Sequence, residues 1–347
     1  MSQGLPIIIG RPGDPPPTVS VLVKSYNHAA YVRQTIDSIL TQSFQDFEIV
    51  VTDDASTDGT ADIVRSYRDP RIKLEVSPVN LGISGAMNAT IARARGRYLA
   101  ILNSDDWALP DRLKQQVSFL DSHDDVALVF GQPRIVGEHN EPATAYNDFA
   151  RPLRFRDMSR FTWLRDFFVN VNCLSAPTAM IRREAYKTVG PYDRRLTNMQ
   201  DFDMWIRMLI AGFNIHLLPE EVTAVRIRAD GGNMSAPNLD RNNRSGYELI
   251  KILWHYARMD ERLLENVFGS LLLLPRTDGR PAPLRLAELA LRDGRPEYDV
   301  FGLDLLHEHA TEQADFDWLR ELTAARDPRG VRRIAGLLDT VAVLKRT

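Results

Sequence analysis

Short apolar runs alternate with stretches of helical periodicity through the first part of the chain. The runs that predict buried strands are VSVLV (19–23), FEIVVT (47–52), IKLEV (72–76) and YLAIL (98–102). The stretches between them that predict helices are 29–41, 60–67, 83–95 and 110–120. The first of these helices places Val32, Ile36 and Ile39 on one face. Apolar strands that alternate with helices predict an α/β fold with a mostly parallel sheet flanked by helices.

The pattern changes towards the C-terminus. Further strands are predicted at 127–131, 178–182 and 222–228, with a helix around 201–211, and helical periodicity dominates from about 245. The N-terminal string RPGDPPP (11–17) disfavours both helix and strand. We therefore predict a flexible Pro-rich tail at 1–17, an α/β domain at 18–235 and a helical C-terminal region at 236–347.

Composition and charge narrow the function classes. The 347 residues carry a formal net charge of −3, which argues against a nucleic-acid partner. The single cysteine, Cys173, excludes an intrachain disulfide framework and a Cys-only zinc site. No apolar run approaches the roughly 18–20 residues of a membrane helix, and the N-terminus lacks a secretory signal pattern. We expect a cytoplasmic protein, with peripheral contact at the inner face of the plasma membrane as an option. The oligomeric state stays open.

Several familiar catalytic motifs are missing from the sequence. It contains no G-x-G-x-x-G, no G-x-x-x-x-G-K-[ST], no H-E-x-x-H and no G-x-S-x-G. Dinucleotide dehydrogenases, P-loop enzymes, zincins and α/β-hydrolases all lose support for this reason.

Polar residues cluster where the predicted strands end. They are Lys24–His28 after the first strand, Asp53–Gly59 after the second, Asn80 after the third and Asn103–Trp107 after the fourth. In open α/β sheets, ligands bind at the carboxyl ends of the strands. Asp105 and Asp106 offer the oxygen ligands that Mg²⁺ or Mn²⁺ prefers, although Asp106 also suits a helix cap. The run that follows Asp53 and Asp54 has good turn and cap chemistry as well.

Three ordered motifs make the sequence resemble the family 2 glycosyltransferases, which have the GT-A fold. They are the strings at 19–60 (VSVLVKSYNH through STDGT), 80–113 (NLGISGAMNA through ALPDRL) and 190–213 (GPYDRRLTNMQDFDMWIRMLIAGF). The resemblance covers about residues 18–235. It implies transfer of a sugar from a nucleoside-diphosphate sugar to a hydroxyl acceptor with inversion. It also implies a divalent cation, Mg²⁺ or Mn²⁺, on the donor diphosphate.

The resemblance assigns donor-side roles position by position. Asp53 corresponds to the acid that binds the donor's base, and Tyr26 with its neighbours lines the nucleoside pocket. The string NSDD (103–106) aligns with the family's D-x-D motif. Asn103 takes the place of the first Asp, and Asp105 would coordinate the metal.

A later string completes the donor side in this resemblance. VRIRADGGNMS (225–235) matches the family's final arginine-containing segment, so that Arg226 or Arg228 meets the diphosphate. Arg228 stands where a His is frequent. The donor-binding residues are Ser25, Tyr26, Asn27, Asp53, Asp54, Asn80, Asn103, Ser104, Asp105, Arg226 and Arg228, and the metal ligands are Asp105 and Asp106.

The string QDFDMW (200–205) aligns with the family's E-D motif and carries the expected catalytic base. Asp201 would take the proton of the acceptor hydroxyl, and Gln200 replaces the usual Glu. From the residues alone, Asp201 also suits an ordinary first-turn acid of a helix. Asp203 is the competing base. The residues assigned to the acceptor and sugar pocket are Trp107, Gln200, Asp203 and Trp205, with core packing as the alternative for both tryptophans.

The sequence thus predicts an inverting glycosyltransferase that acts on a saccharide or lipid-linked acceptor. Family resemblance suggests cell-surface polysaccharide or O-antigen biosynthesis as its setting. Two alternatives stay open: a sugar nucleotidyltransferase and a non-catalytic nucleotide-sugar binding module. The amides Asn103 and Gln200, which stand in place of acids, support the second alternative.

Overall fold

The computed structural model describes residues 15–142, 156–228, 233, 239–272, 281–310, 315 and 317. It divides into two compact units, the first formed by residues 1–160 with 172–237 and the second by 161–171 with 238–347. Residues 1–14 of the predicted tail lie outside the described residues. The second unit thus includes a segment, 161–171, from the middle of the predicted α/β domain.

One sheet of eight strands organises the first unit. The strands are β1 (Val19–Ser25), β2 (Phe47–Asp53), β3 (Ile72–Val76), β4 (Tyr98–Asn103), β5 (Trp107–Ala108), β6 (Val126–Val136), β7 (Met180–Arg182) and β8 (Asn214–Arg226). Their spatial order is β3-β2-β1-β4-β7-β6-β8-β5. The helices of this unit are α1 (Val32–Leu40), α2 (Thr60–Arg65), α3 (Gly82–Arg93), α4 (Arg112–Ser122), α6 (Arg183–Val189) and α7 (Gln200–Ile210). Helix α5 (Arg160–Asn170) lies almost wholly in the second unit.

The central strand β1 pairs in parallel with β2 on one side and with β4 on the other. The register places Ser25 beside Asp53 and Lys24 beside Asn103. The polar residues that follow these strands therefore meet at one edge of the sheet, as expected for an α/β fold.

The sheet is mixed, because β7 runs antiparallel to both β4 and β6. Strand β8 continues the sheet in parallel with β6, and the two-residue strand β5 adds antiparallel to β8. The pairing of Trp107 with Ala224 brings the loop after β4 next to the end of β8. This contact joins residues that are far apart in the sequence.

Apolar side chains from β1, β2 and β4 form the core together with α1. The predicted face of α1 is buried through Val32, Ile36 and Ile39. Near the entry to β4 the backbone packs so closely that a Cβ on Gly96 would lie 2.4 Å from the backbone nitrogen of Ser20. Only glycine fits there, and the parallel pairing of β1 with β4 depends on this approach.

The second unit is helical in its described part. Its helices after α5 are α8 (Leu239–Leu253), α9 (Glu261–Phe268), α10 (Ala282–Asp293) and α11 (Pro296–His309). The ring of Phe168 lies 4.9–5.2 Å, centroid to centroid, from the rings of Tyr256, Phe268 and Tyr298. These aromatic contacts give the unit its own core. In the part of the chain that the structure describes, no helix has the length and apolar character needed to cross a bilayer.

Candidate functional site

The loops after β1 and β2 are tied together by Asp53. This carboxylate accepts hydrogen bonds from the Ser25 hydroxyl at 2.9 Å, from the Ser56 backbone N–H at 3.0 Å and from the Ser56 hydroxyl at 2.7 Å. Asp53 is fully buried. The structure thus brings predicted donor residues Ser25 and Asp53 into contact, with the carboxylate directed at the two loops.

Tyr26, Asn27 and Asn80 lie on the rim of the same edge. Tyr26 is exposed, and Asn27 adopts a left-handed backbone with φ of 52° while its side-chain oxygen accepts the Thr57 N–H at 2.9 Å. Asn80 accepts the Gly82 N–H at 3.0 Å. The ring of Tyr26 is exposed, so it provides a surface on which a planar base can stack.

Asp54 caps helix α3 from outside the helix. Its two carboxylate oxygens accept the backbone N–H groups of Leu81 at 2.6 Å and of Gly82 at 3.0 Å. Burial raises the pKa of Asp54, although both N–H bonds act in the opposite direction. Asp54, which the sequence assigned to the donor site, therefore caps the start of helix α3.

We expect Asp54→Ala to destabilise the protein by about 1–2 kcal/mol, because two N–H groups at the start of α3 lose their acceptor. Asp54→Asn keeps one acceptor oxygen and should cost less. Thermal unfolding of both variants measures the effect. Asp124→Ala, which removes a fully exposed acid 3.8 Å from Arg182, is the comparison. An Asp54→Ala variant that melts like wild type would contradict the capping role.

The acidic loop after β4 carries a buried carboxylate, Asp106, whose two oxygens are both engaged. One accepts the Arg226 backbone N–H at 2.9 Å, and the other accepts the side-chain amide of Asn103 at 2.9 Å. Burial, reinforced by the adjacent carboxylate of Asp105, raises the pKa of Asp106 to about 8. Each oxygen of Asp106 thus already accepts one hydrogen bond, and the two bonds fix the loop to Asn103 and to the end of β8.

Asp105 differs from its neighbour. Its carboxylate accepts no hydrogen bond from the described residues, and its Oδ2 lies 3.9 Å from both His28 Nε2 and Arg228 Nη1. The structure contains no cluster of three or more metal-ligating side chains within its described residues. A single carboxylate with open coordination suits Mg²⁺ or Mn²⁺, which typically takes one or two carboxylates with substrate phosphates and water. Of the two predicted metal ligands, Asp105 fits this role by its contacts.

A histidine and an arginine line the site next to Asp105. Arg228 Nη1 lies 3.0 Å from His28 Nε2, and His28 Nδ1 lies 2.7 Å from the hydroxyl of Ser104. Because the guanidinium only donates, Nε2 accepts and the proton of the neutral ring resides on Nδ1, facing Ser104. Burial lowers the pKa of His28, which favours this neutral form. The loops after β1 and β4 are thereby joined to the end of β8.

Arg226 is buried and connects four segments. Its side chain donates to the backbone oxygen of Asp105 at 3.0 Å, to the side-chain oxygen of Gln34 at 2.7 Å and to the backbone oxygen of Glu138. The guanidinium carbon also lies 5.0 Å from the ring centroid of Trp107. These contacts fix the loop that carries Asp105 against the end of β8.

Asp201 lies in the first turn of helix α7 and is half-buried. Burial raises its pKa, whereas the ammonium of Lys24 and a hydrogen bond from the Gln200 side chain act to lower it. Gln200 is itself buried, and its amide oxygen has no hydrogen-bond partner among the residues described. A raised pKa means that the ionised carboxylate binds a proton more strongly, which suits a proton acceptor.

The remaining acceptor-side candidates differ in position. Asp203 forms an ion pair with Arg207 at 2.7 Å one turn along α7, and Arg207 also donates to the Val189 backbone oxygen at 2.7 Å. Trp205 is fully buried and packs edge-to-face on Phe130 at 5.1 Å. Trp205 therefore contributes to the core, and Asp203 anchors α7 to the loop before it.

Reasoning from the sequence missed several residues of the site. Lys24 and His28 follow the first strand in the sequence but received no role there. Tyr31 lies under Arg226 with 5.0 Å between its ring centroid and the guanidinium carbon. The available signal was that these polar or aromatic residues stand next to a predicted strand end. Their partners lie in or directly after β4 and β8, far away in the sequence.

Comparisons with known proteins agree with this geometry. The family described as glycosyl transferase family 2 matches residues 20–190. The chain is 32% identical over 225 residues to the putative glycosyltransferase EpsE of Bacillus subtilis, covering 62% of this chain and 74% of that protein. It is 32% identical over 213 residues to the putative teichuronic acid biosynthesis glycosyltransferase TuaG of the same organism, covering 61% and 79%.

Solved structures share the fold. S. aureus TarS 1–349, in complex with UDP-GlcNAc, has a TM-score of 0.59 at 19% identity and covers 92% of this chain and 90% of that chain. The mannosyltransferase PcManGT from Pyrobaculum calidifontis, in complex with GDP-Man and Mn²⁺, has a TM-score of 0.54 at 18% identity, with coverage of 98% and 90%. The predicted GT-A-type sheet with flanking helices and a helical C-terminal region is confirmed.

Proposed function

The chain belongs to glycosyl transferase family 2 and is a glycosyltransferase, and we propose that it inverts the anomeric centre while moving a sugar from a nucleoside diphosphate to a hydroxyl. The acceptor in this proposal is a saccharide or a lipid-linked saccharide. The relatives support a role in cell-surface polysaccharide biosynthesis, because TuaG is named for teichuronic acid biosynthesis. The observation that carries the proposal is the meeting of Asp105, Arg228 and His28 at the sheet edge.

The donor diphosphate binds beside Asp105 in this proposal. Asp105 would hold a Mg²⁺ or Mn²⁺ ion there, and the bound ion would supply Lewis-acid stabilisation of the leaving diphosphate. The guanidinium of Arg228, oriented by His28, is placed to donate to phosphate oxygens. The base of the nucleotide stacks on the exposed ring of Tyr26.

Asp201 acts as the base on the acceptor side. Its carboxylate receives the proton of the attacking hydroxyl while the sugar leaves the diphosphate, so that attack and departure occur on opposite faces. The buried amide oxygen of Gln200 is available to accept a hydrogen bond from a sugar hydroxyl. Gln200 can therefore bind a sugar next to the catalytic base, Asp201.

A thermal-shift screen tests the donor site first. Purified protein is melted with UDP, dTDP, GDP and CMP, each with and without Mn²⁺. A nucleotide present at about 100 times its Kd stabilises the protein by about 2.7 kcal/mol. We expect one nucleoside diphosphate to raise Tm in a manganese-dependent way, and the matching nucleotide sugar then serves as donor for transfer, with product anomericity read by NMR.

Asp105→Asn tests the cation contact within the same screen. We expect the manganese-dependent part of the shift to disappear, because an amide replaces the charged ligand. Asp62→Asn, which changes an exposed acid paired with Arg65 on α2, is the matched control and should keep the shift. A full manganese-dependent shift in Asp105→Asn would refute the assignment of Asp105. A folded wild type that responds to none of the nucleotides would refute the proposed donor class.

A further inference from the structure

One face of helix α3 binds the loop that precedes the proposed base. This loop comprises residues 190–199 and runs from the end of α6 to the start of α7. Ser84 and Asn88 are four positions apart on α3, so they lie on the same face of the helix. The hydroxyl of Ser84 is buried and donates to the backbone oxygen of Leu196 at 2.6 Å. This bond fixes the second half of the 190–199 loop to α3.

Asn88 binds both backbone groups of a single loop residue. Its side-chain oxygen accepts the Tyr192 N–H at 3.0 Å, and its amide nitrogen donates to the Tyr192 backbone oxygen at 2.8 Å. The same side-chain oxygen accepts the hydroxyl of Tyr186 on α6 at 3.1 Å. Because an amide carries its donor and its acceptor on different atoms, neither an aspartate nor a flipped amide could make all three bonds. Asn88 thus fixes the first half of the loop, as Ser84 fixes the second.

Helix α7, which carries Asp201, is bonded to the same loop. Arg207 on this helix donates to the backbone oxygen of Pro191 at 3.0 Å and pairs with the carboxylate of Asp203 at 2.7 Å. The backbone N–H of Asp203 donates to the backbone oxygen of Met199 at 3.0 Å. Because Asp201 lies between Met199 and Asp203 in the chain, these bonds hold the loop and the first turn of α7 together as one piece.

The start of α3 is fixed to the donor side of the sheet. Asp54, which directly follows β2, accepts the backbone N–H groups of Leu81 and Gly82. Further along the helix, the hydroxyl of Thr90 donates to the hydroxyl of Thr52 in β2 at 2.7 Å. A continuous series of hydrogen bonds therefore leads from the end of β2 through α3 and the 190–199 loop to α7.

We propose that Ser84 and Asn88 are positioning residues, which fix the 190–199 loop on α3 so that the carboxylate of Asp201 is held at a set distance from the donor. This role rests on the proposed function, because Asp201 is the base only in that function. Ser84 and Asn88 touch neither substrate, since each acts through the backbone of the loop. A reacting group displaced by about 1 Å can lower the rate by about 10²-fold, so the loss of these bonds is expected to appear in kcat.

The first experiment measures amide hydrogen exchange and uses no substrate. Peptides from the 190–199 loop and from β1 are compared in wild type, Asn88→Ala and Thr90→Val. Asn88→Ala should speed the exchange of the loop by about tenfold relative to β1, because the Tyr192 N–H loses its acceptor. Thr90→Val destabilises the same helix without touching the loop, so the two peptides should keep their wild-type ratio of exchange rates. Loop exchange in Asn88→Ala that matches wild type would overturn the positioning role.

The second experiment separates kcat from donor binding, at a temperature well below the Tm of every variant. We expect Asn88→Ala to lower kcat by about 10²-fold while the donor Kd, measured by calorimetry, changes by less than about threefold. Asn88→Asp keeps the shape of the side chain but turns a carboxylate oxygen towards the Tyr192 oxygen, so it should lose about as much. Ser84→Ala removes a single bond and should lower kcat by about tenfold. Thr90→Val is the control, with a lower Tm and kcat within about threefold of wild type.

Two kinetic outcomes would contradict the positioning role. One is a folded Asn88→Ala enzyme with the kcat of wild type, and the other is an equal loss of kcat in Asn88→Ala and Thr90→Val, which general destabilisation would explain. Ser84→Ala takes the place of the Asn88 variants in both experiments if these do not fold. A wild type that transfers no sugar would refute the proposed function, while hydrogen exchange still decides whether Ser84 and Asn88 fix the loop.

Discussion

Asp201→Asn is expected to lower kcat by about 10²–10⁴-fold while the donor nucleotide still binds. Asparagine keeps the shape of the side chain and can still contact Gln200, but it cannot take a proton from the acceptor hydroxyl. The loss should therefore fall on kcat, with the donor Kd changed by less than about threefold. Steady-state kinetics with the donor found in the thermal-shift screen, together with Tm in the presence of that nucleotide, measure both quantities.

Two further variants test the assignment of Asp201. Asp193→Asn alters a half-buried acid that pairs with the exposed Arg195 shortly before α7, and it should leave kcat unchanged. Asp203→Asn breaks the ion pair with Arg207 and should lower Tm. If Asp201→Asn keeps its activity and Asp203→Asn loses it without loss of stability, Asp203 is the base.

Arg226→Met is expected to destabilise the first unit strongly. The change leaves the backbone oxygens of Asp105 and Glu138 and the side-chain oxygen of Gln34 without their donor. Buried acceptors that lose their partners destabilise a protein, and we expect about 3 kcal/mol here. The loop that carries Asp105 also loses its support, so the manganese-dependent thermal shift should weaken.

Arg134→Met is the matched control for this variant. Arg134 lies on β6 next to β8 and forms an exposed ion pair with Glu221 at 2.8 Å. Exposed pairs contribute little, so the control should stay within about 1 kcal/mol of wild type. Chemical unfolding curves compare the two variants. Equal losses for both would show that Arg226 has no special structural role.

Local pattern predicted the first half of the sheet well. β1 to β4 appear within one residue of their predicted bounds or extend them slightly, because each is a short apolar run between turn residues. The direction of β7, the length of β8 and the short strand β5 were not predicted. Their places depend on pairing with residues far away in the chain, which local periodicity does not record.

The candidate site shows the same division. The acids at the strand ends were predicted to meet, and the structure brings them to one edge of the sheet. The difference between Asp105 and Asp106 was not predictable, because it depends on the Arg226 N–H that binds Asp106. For Trp205, the sequence offered a sugar-pocket role with core packing as the alternative, and the structure buries its ring against Phe130. A polar residue at a strand end indicates where in the fold a site lies. The contacts of that residue depend on the tertiary fold, which the local sequence does not record.

The bond between Asp106 and Arg226 has a consequence for the newly made chain on the ribosome. The two residues are 120 positions apart, so at about 5–20 residues per second the acidic loop waits about 6–24 s for its partner strand. During that delay, the edge where β8 will pair is open and the carboxylate of Asp106 is still in water. The nascent chain therefore gains its donor site late, after the strands that carry most of the site's acids have already been made.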